Sequence, residues 1–178
     1  MKRLNNLANK QKGFTLIELV VVIVILGILA VTAAPKFINI QDDARTATLQ
    51  GVKAAMKSVA SLVYSKSLLA GNEDSAGSTT TTVSINGNDV HVRYGYPRDD
   101  ATALSEWRDD LLDLDPNDFT VTQSYLGIVI HPANIALSGA WPADITNPEG
   151  SERNCFVVYR ESDTAGQSPV LIQTAPCL

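Results

Sequence analysis

The spacing of apolar and polar positions changes character twice along the chain. Phe14 to Ala34, FTLIELVVVIVILGILAVTAA, is an almost unbroken apolar run whose one charge is Glu18. Wound as a helix it would span ~31 Å, close to the ~30 Å hydrocarbon core of a bilayer. From Lys36 to Leu69 the apolar positions thin to three- and four-residue steps. They are Phe37, Ile40, Ala44, Ala47, Val52, Ala55, Met56, Val59, Leu62 and Val63, with Asp42, Asp43, Arg45, Lys53, Lys57 and Lys66 lying mostly on other faces. That is the period of an amphipathic helix, expected to lay its apolar stripe on a sheet. Together the two stretches predict one helix of roughly 55 residues, ~80 Å long. Pro35 lacks a backbone donor and should kink it, and Gly27 weakens it locally by up to ~1 kcal/mol.

Beyond Ala70 the elements shorten. AGNEDSAGSTTTT (70–82) is polar and loop-like. Val83–Ile85 and Val90–Tyr94 flank Asn86-Gly87-Asn88-Asp89 as a hairpin, which Gly95-Tyr96-Pro97 closes. Thr102 to Leu114 reads as a short helix with Leu104, Trp107, Leu111 and Leu114 on one side. Phe119–Ile130, Cys155–Arg160 and Val170–Thr174 read as strands. The fold class expected is α+β: a long N-terminal α-helix packed on a C-terminal antiparallel β-sheet head.

Charge sharpens this division. Residues 1–13 hold four cations (Lys2, Arg3, Lys10, Lys12) and no acid, so the remainder carries ten cations against nineteen acids, a formal −9. An acidic body argues against nucleic-acid binding, which needs Lys and Arg to neutralise phosphates. The basic start ahead of an apolar run fits an N-terminus held on the cytoplasmic side of a membrane. An ordinary secretory signal shares that order, but its apolar region is shorter, and here the helical pattern runs on past the small residues at Thr32–Ala34. A plain membrane anchor fits the length and leaves Glu18 unexplained. A carboxylate near a membrane interior costs ~2.5–3.5 kcal/mol and usually marks a function with a partner.

The stretch KGFTLIELVVVIVILGILAVTAAPKF resembles the class III signal of type IV pilins and the related pseudopilins. The resemblance covers residues 12–37 and says little about residues 70–178. It implies cleavage between Gly13 and Phe14 by a prepilin peptidase on the cytoplasmic face, with methylation of the new Phe14 amine by the same enzyme. Gly13, without a side chain, lets the backbone approach a protease closely. Glu18 matches the family glutamate. One turn from the Phe14 amine, it can neutralise that cation within a subunit or between neighbours, and an unpaired partner would be strongly destabilising. The family also implies that the stretch between Gly27 and Pro35 can lose helicity in a filament.

The implied organisation is a leader at 1–13, an apolar transmembrane and polymerisation helix at 14–35, an amphipathic helix at 36–69 and an α+β head at 70–178. Implied partners are copies of the chain in a homopolymer, the inner membrane before assembly, the prepilin peptidase and methyltransferase, an assembly ATPase, an inner-membrane platform and a secretin. The stretch TAAPKFINIQDDAR further resembles type IVa major pilins of the mannose-sensitive haemagglutinin kind, which serve surface adhesion. Rival readings are a type II secretion pseudopilin, a minor tip pilin, and a membrane-anchored binding module or enzyme.

Candidate chemistry in the head is thin. Cys155 and Cys177 are expected to form a disulfide in an exported chain, worth ~3 kcal/mol in the chain-entropy model, and they match the family's C-terminal cysteine pair. Asp113, Asp115 and Asn117 resemble the start of a calcium loop, but Asp118 stands where glycine is required and Ser124 where a bidentate glutamate is. His91 and His131 show no metal-ligand spacing. Trp141 could stack on a sugar, although packing is the simpler role. No nucleophile elbow, Walker loop or zinc-ligand run is present. The expectation is a structural, non-enzymatic protein with no metal or cofactor.

Overall fold

The computed structural model describes residues 13–77, 80–137, 155–169, 171–175 and 177. Leader positions 1–12, Trp141 and Val170 lie outside the described residues. The elements are α1 (Leu16–Ala70), β1 (Thr82–Ile85), β2 (Asn88–Arg93), β3 (Tyr96–Pro97), a 3-10 turn at Ala101–Ala103, a π-helix at Glu106–Leu111, β4 (Phe119–Ser124), β5 (Gly127–Pro132), β6 (Phe156–Arg160) and β7 (Leu171–Ala175). The architecture is α+β, with every strand pair antiparallel. The chain divides into two units, Met1–Ile40 and Gln41–Leu178.

In the first unit α1 is unbroken across Gly27 and Pro35, so the expected kink is not accompanied by any loss of helix. Thr32 Oγ1 donates to the carbonyls of Ile28 (3.3 Å) and Leu29 (3.1 Å), and Pro35, lacking an N–H, cannot donate to the Val31 carbonyl one turn back.

In the second unit the buried face of α1 is Leu49, Val52, Met56, Ala60, Val63 and Ser67. Steps of three and four residues keep these positions on one side. The stripe expected from sequence was partly misplaced. Ala44, Ala47, Ala55 and Leu62 face outward, Leu49 and Ala60 are buried in their place, and the Phe37 side chain lies outside the described residues. Helical phase decides which apolar residues reach the core: small Ala60 lies on the face of Leu49, Met56 and Val63 and is buried, while bulky Leu62 lies on another face and is exposed. The buried apolar residues pack with Trp107, Ile128, Ile130, Val157 and Tyr159 in one cluster.

Where one antiparallel sheet was expected there are two, ordered β1-β2-β3 and β4-β5-β6-β7. Asn86 (φ 52°) and Gly87 (φ 91°) form a two-residue turn, so β2 starts at Asn88 and not at Val90. Positive φ at both positions matches the twist of a hairpin. Tyr94 and Gly95 make a second such turn, which gives β3 its pairing with β2. Phe119–Ile130, expected as a single strand, is a hairpin that reverses at Tyr125-Leu126. Ser124 Oγ accepts the Leu126 N–H (3.1 Å), and Gly127 supplies φ 118°.

The helix expected over Thr102–Leu114 is instead the 3-10 turn followed by the π-helix. Asp100 Oδ1 accepts the Thr102 N–H (3.0 Å) and starts the first. The wide π turn then brings two adjacent residues inward. Trp107 packs on Tyr159, with ring centroids 4.4 Å apart, and donates Nε1–H to the Arg98 carbonyl (2.8 Å). Glu106 accepts the His91 N–H (3.0 Å) and lies 2.5 Å from His91 Nδ1.

Polar contacts connect the two sheets. Arg93 donates to Glu161 Oε1 (2.7 Å) and Tyr159 donates its hydroxyl to the Pro97 carbonyl (2.8 Å). Burial raises the Asp99 and Glu161 carboxyls above their ordinary range and raises the Tyr159 phenol well above its own. On the outer side of β1, Lys66 Nζ donates to the Ser84 carbonyl (2.7 Å).

Candidate functional site

The residues that sequence singles out lie in two places. Gly13, Phe14, Glu18, Gly27 and Pro35 belong to the first unit, and Cys155 and Cys177 to the second.

At the start of α1, Phe14 is 90% exposed and nothing approaches within 4 Å of a side chain built at Gly13. The local geometry is set by Thr15-Leu16-Ile17-Glu18. Thr15 donates both its backbone N–H and its hydroxyl to Glu18 Oε2, each at 2.8 Å, and Thr15 Oγ1 accepts the Glu18 N–H (3.3 Å). This is a capping box: the N-cap hydroxyl and the carboxylate three residues on satisfy donors that the first helical turn leaves orphaned. The T-x-x-E spacing is the sequence signature of that box and gives Glu18 a role inside its own helix besides the one expected of it toward an amine on Phe14. In the full-length chain the Phe14 nitrogen is a peptide amide, and Glu18 is engaged with Thr15.

Leu16–Ala33 is long and apolar enough to cross a membrane, and none of it is buried within the chain. Leu16, Ile17, Leu19, Ile23, Leu26 and Ile28 are all exposed. Such a surface is compatible with lipid or with further apolar helices as its surroundings, and not with water. A side chain built at Gly27 would meet nothing within 4 Å.

In the head Cys155 and Cys177 are joined by a disulfide. Cys155 adopts φ 67° at the entry to β6, and the Cys177 N–H donates to Thr46 Oγ1 on α1 (2.9 Å). Nothing local in the sequence marks Thr46 as the acceptor for a residue so far along the chain. The remaining candidates are kept apart. His91 pairs with Glu106, while His131 Nδ1 lies 2.9 Å from the Pro132 carbonyl. Asp115 Oδ1 accepts from both Asn117 N–H and Nδ2 (2.8 Å each), a local turn. Among the described residues no group of three or more His, Cys, Asp or Glu side chains is arranged to hold a metal ion.

Comparison with known proteins bears on the first of these places. The prokaryotic N-terminal methylation motif matches residues 8–34. The chain is 49% identical over 49 residues to the type IV narrow pilus major component of Thermus thermophilus, covering 28% of this chain and 42% of that one. It is 35% identical over 107 residues to the prepilin peptidase-dependent protein A of Clostridium perfringens, covering 60% of this chain and 71% of the relative. With the type IV major alpha-pilin of Moraxella bovis it shares 49% identity over 49 residues, 28% of this chain and 31% of that one. The chain thus spans less than half the length of two of these three relatives. No solved structure matches it significantly.

Proposed function

Because the chain belongs to the type IV pilin family, we propose that it is the major structural subunit of a cell-surface filament. The observation that carries this is the apolar helix Leu16–Ala33, which has no cover of its own. Lipid supplies the cover while the chain waits in the inner membrane, and copies of the same helix supply it in the polymer. The relatives named as pilus components support the reading over that of a secretion pseudopilin. The protein's role is packing and attachment, and it performs no chemistry of its own.

A prepilin peptidase cuts between Gly13 and Phe14, where the backbone is open, and the Phe14 amine is methylated. That amine is a new cation beside the capping box. Glu18 of an incoming subunit docks against Phe14 of the last one added, because a carboxylate and an ammonium taken out of water must find each other. Pro35 leaves the Val31 carbonyl without its helical donor, and Gly27 adds backbone freedom, so the intervening turns can loosen when a filament is stretched. An assembly ATPase, an inner-membrane platform and a secretin act on the subunit.

Mass spectrometry of filaments sheared from cells carrying the assembly machinery tests the whole scheme. The main band must be this protein, starting at Phe14 with one added methyl group. Retention of Met1–Gly13, or loss of the apolar stretch, overturns it. Glu18→Ala is expected to be cleaved normally and to yield no surface filaments.

A further inference from the structure

A cleft of about 260 Å³ lies in the second unit, where the end of β4, the turn to β5 and the chain leaving β3 and β6 come together. Its walls include Arg93, Asp99, Gln123, Tyr125, Arg160 and Asp163. Tyr125, on the β4–β5 turn, is 66% exposed. Gly127 also lines the cleft and keeps room beside Asp99, since a Cβ there would stand 3.1 Å from Asp99 Oδ2.

The charges around this cleft do not cancel. Arg93 donates to Glu161 (2.7 Å) and reaches Asp163 at 3.7 Å, and Arg160 reaches Asp163 at 3.5 Å. Two guanidiniums thus serve Glu161 and Asp163, and Asp99 is left over. Its Oδ2 accepts the Glu161 N–H (3.2 Å), and among the described residues no cation makes an ion pair with it. Burial raises its carboxyl, while the Glu161 N–H and the charge of Arg160 lower it by less. A half-buried carboxylate without a counter-ion is costly to keep ionised, and a ligand that brings the cation removes that cost.

The lining narrows the class of ligand. An anion would meet three carboxylates, Asp99, Glu161 and Asp163. An apolar molecule would strip water from polar groups without replacing their hydrogen bonds. A neutral ligand would leave the surplus charge of Asp99 as it is, whereas a monocation brings the sum over the cleft to zero. Among cations, one that donates hydrogen bonds fits, because Asp99, Asp163 and the Gln123 amide oxygen all accept. A quaternary ammonium has no N–H to give and calls for a cage of aromatic rings, where this cleft has one tyrosine.

We propose that this cleft binds a primary ammonium group on an aliphatic stem, with the ammonium at Asp99 and the stem along the ring of Tyr125. The class takes in both a free aliphatic diamine and a lysine side chain borne by a surface. The site does not depend on the reading of the chain as a polymer subunit, and its test is made on single chains.

Isothermal titration calorimetry of the full-length chain in detergent decides the matter, with diaminopentane and Nα-acetyl-lysine amide as probes. The diamine is expected to saturate one site per chain, and the lysine probe to do the same where the source includes proteins. Asp99→Asn keeps an oxygen for the Glu161 N–H, removes the charge and should weaken binding by ~10-fold or more. Tyr125→Ala should weaken it ~3-fold. Arg160→Gln removes a like charge and should tighten it ~3-fold, a direction that a merely structural role would not produce. Should Asp99→Asn fail to fold, the opposite signs expected at Tyr125 and Arg160 still decide. The site is overturned if neither amine saturates, or if Asp99→Asn binds like the parent. Tetramethylammonium binding as tightly as the diamine overturns it too, as attraction to an acidic surface only, and so does a neutral methyl glucoside that binds where the amines do not.

Discussion

Asp99 and Glu161 each accept a hydrogen bond from the other's backbone N–H, both at 3.2 Å. The two residues follow β3 and β6, so the reciprocal pair fastens the three-stranded sheet to the four-stranded one. Arg93 completes it by donating to the second oxygen of Glu161. Glu161→Ala would leave the Asp99 N–H unpaired in a half-buried setting and leave Arg93 only its longer ion pair with Asp163 (3.7 Å). A loss of about 2–3 kcal/mol is expected, read as a shift in denaturant midpoint of the detergent-solubilised chain. A midpoint within error of the parent would show that the sheets are held by packing alone.

The same pair sets a pH dependence. Burial raises both carboxyls above their ordinary values of 3.8 and 4.5, and the Arg93 and backbone hydrogen bonds offset this only in part. Both groups bind protons more readily folded than unfolded. Their contribution is fully present below the unfolded values and is lost as pH rises through the folded ones. Asp100 runs the other way. Burial alone would raise it, but hydrogen bonds from Thr102 and the charge of Arg98 lower it, so its contribution is lost as pH falls through its folded value. Thermal melts should therefore show the parent gaining stability relative to Asp99→Asn as pH falls from neutral through the raised folded value to the ordinary value of 3.8. A constant difference across that interval would count against buried, proton-hungry carboxyls.

The disulfide and Thr46 act in series on the C-terminal strand. Cys155→Ser with Cys177→Ser should cost ~3 kcal/mol, and reductant should reproduce the loss in the parent. Thr46→Val keeps the shape and removes the acceptor for the Cys177 N–H, at about 1 kcal/mol. Hydrogen exchange should then rise at Cys177 and along β7 with the disulfide intact; unchanged protection there would mean that the threonine carries no load.

Two glycines predict opposite signs. A Cβ at Gly127 would land on the Tyr159 carbonyl, and the position has φ 118°. Gly127→Ala should cost several kcal/mol, because backbone and not a flexible side chain is in the way. Gly51 sits in the helix with open space around it. Gly51→Ala should add about 0.5–1 kcal/mol. Paired denaturant melts give both numbers.

What was legible from sequence followed the strength of the local signal. The apolar run and its flanking residues marked α1 within two residues at either end, because period and length agree over many turns. The hairpin at Asn86-Gly87 was legible as a reversal but misjudged in size, since φ is set where Asn and Gly meet and apolar spacing does not report it. Phe119–Ile130 hid its turn because Tyr125-Leu126 are not turn-forming residues and Gly127 looks like any strand glycine. The π-helix was illegible in kind: the apolar positions suit an ordinary helix, and only the pairing of Glu106 with His91 reveals why the turn is wide. Asp99, Glu161 and Arg93 carried no signal at all, because their partnership crosses from one sheet to the other. At the N-terminus the reverse held, with Thr15-x-x-Glu18 visible and read for a different purpose.

The ammonium of Lys66 sits on the free rim of β1, at a carbonyl that another chain's strand would otherwise seize. An unoccupied strand edge is a template for pairing with another chain wherever copies are crowded. By occupying that carbonyl with a charge, Lys66 blunts the β1 edge against pairing with a strand of another copy.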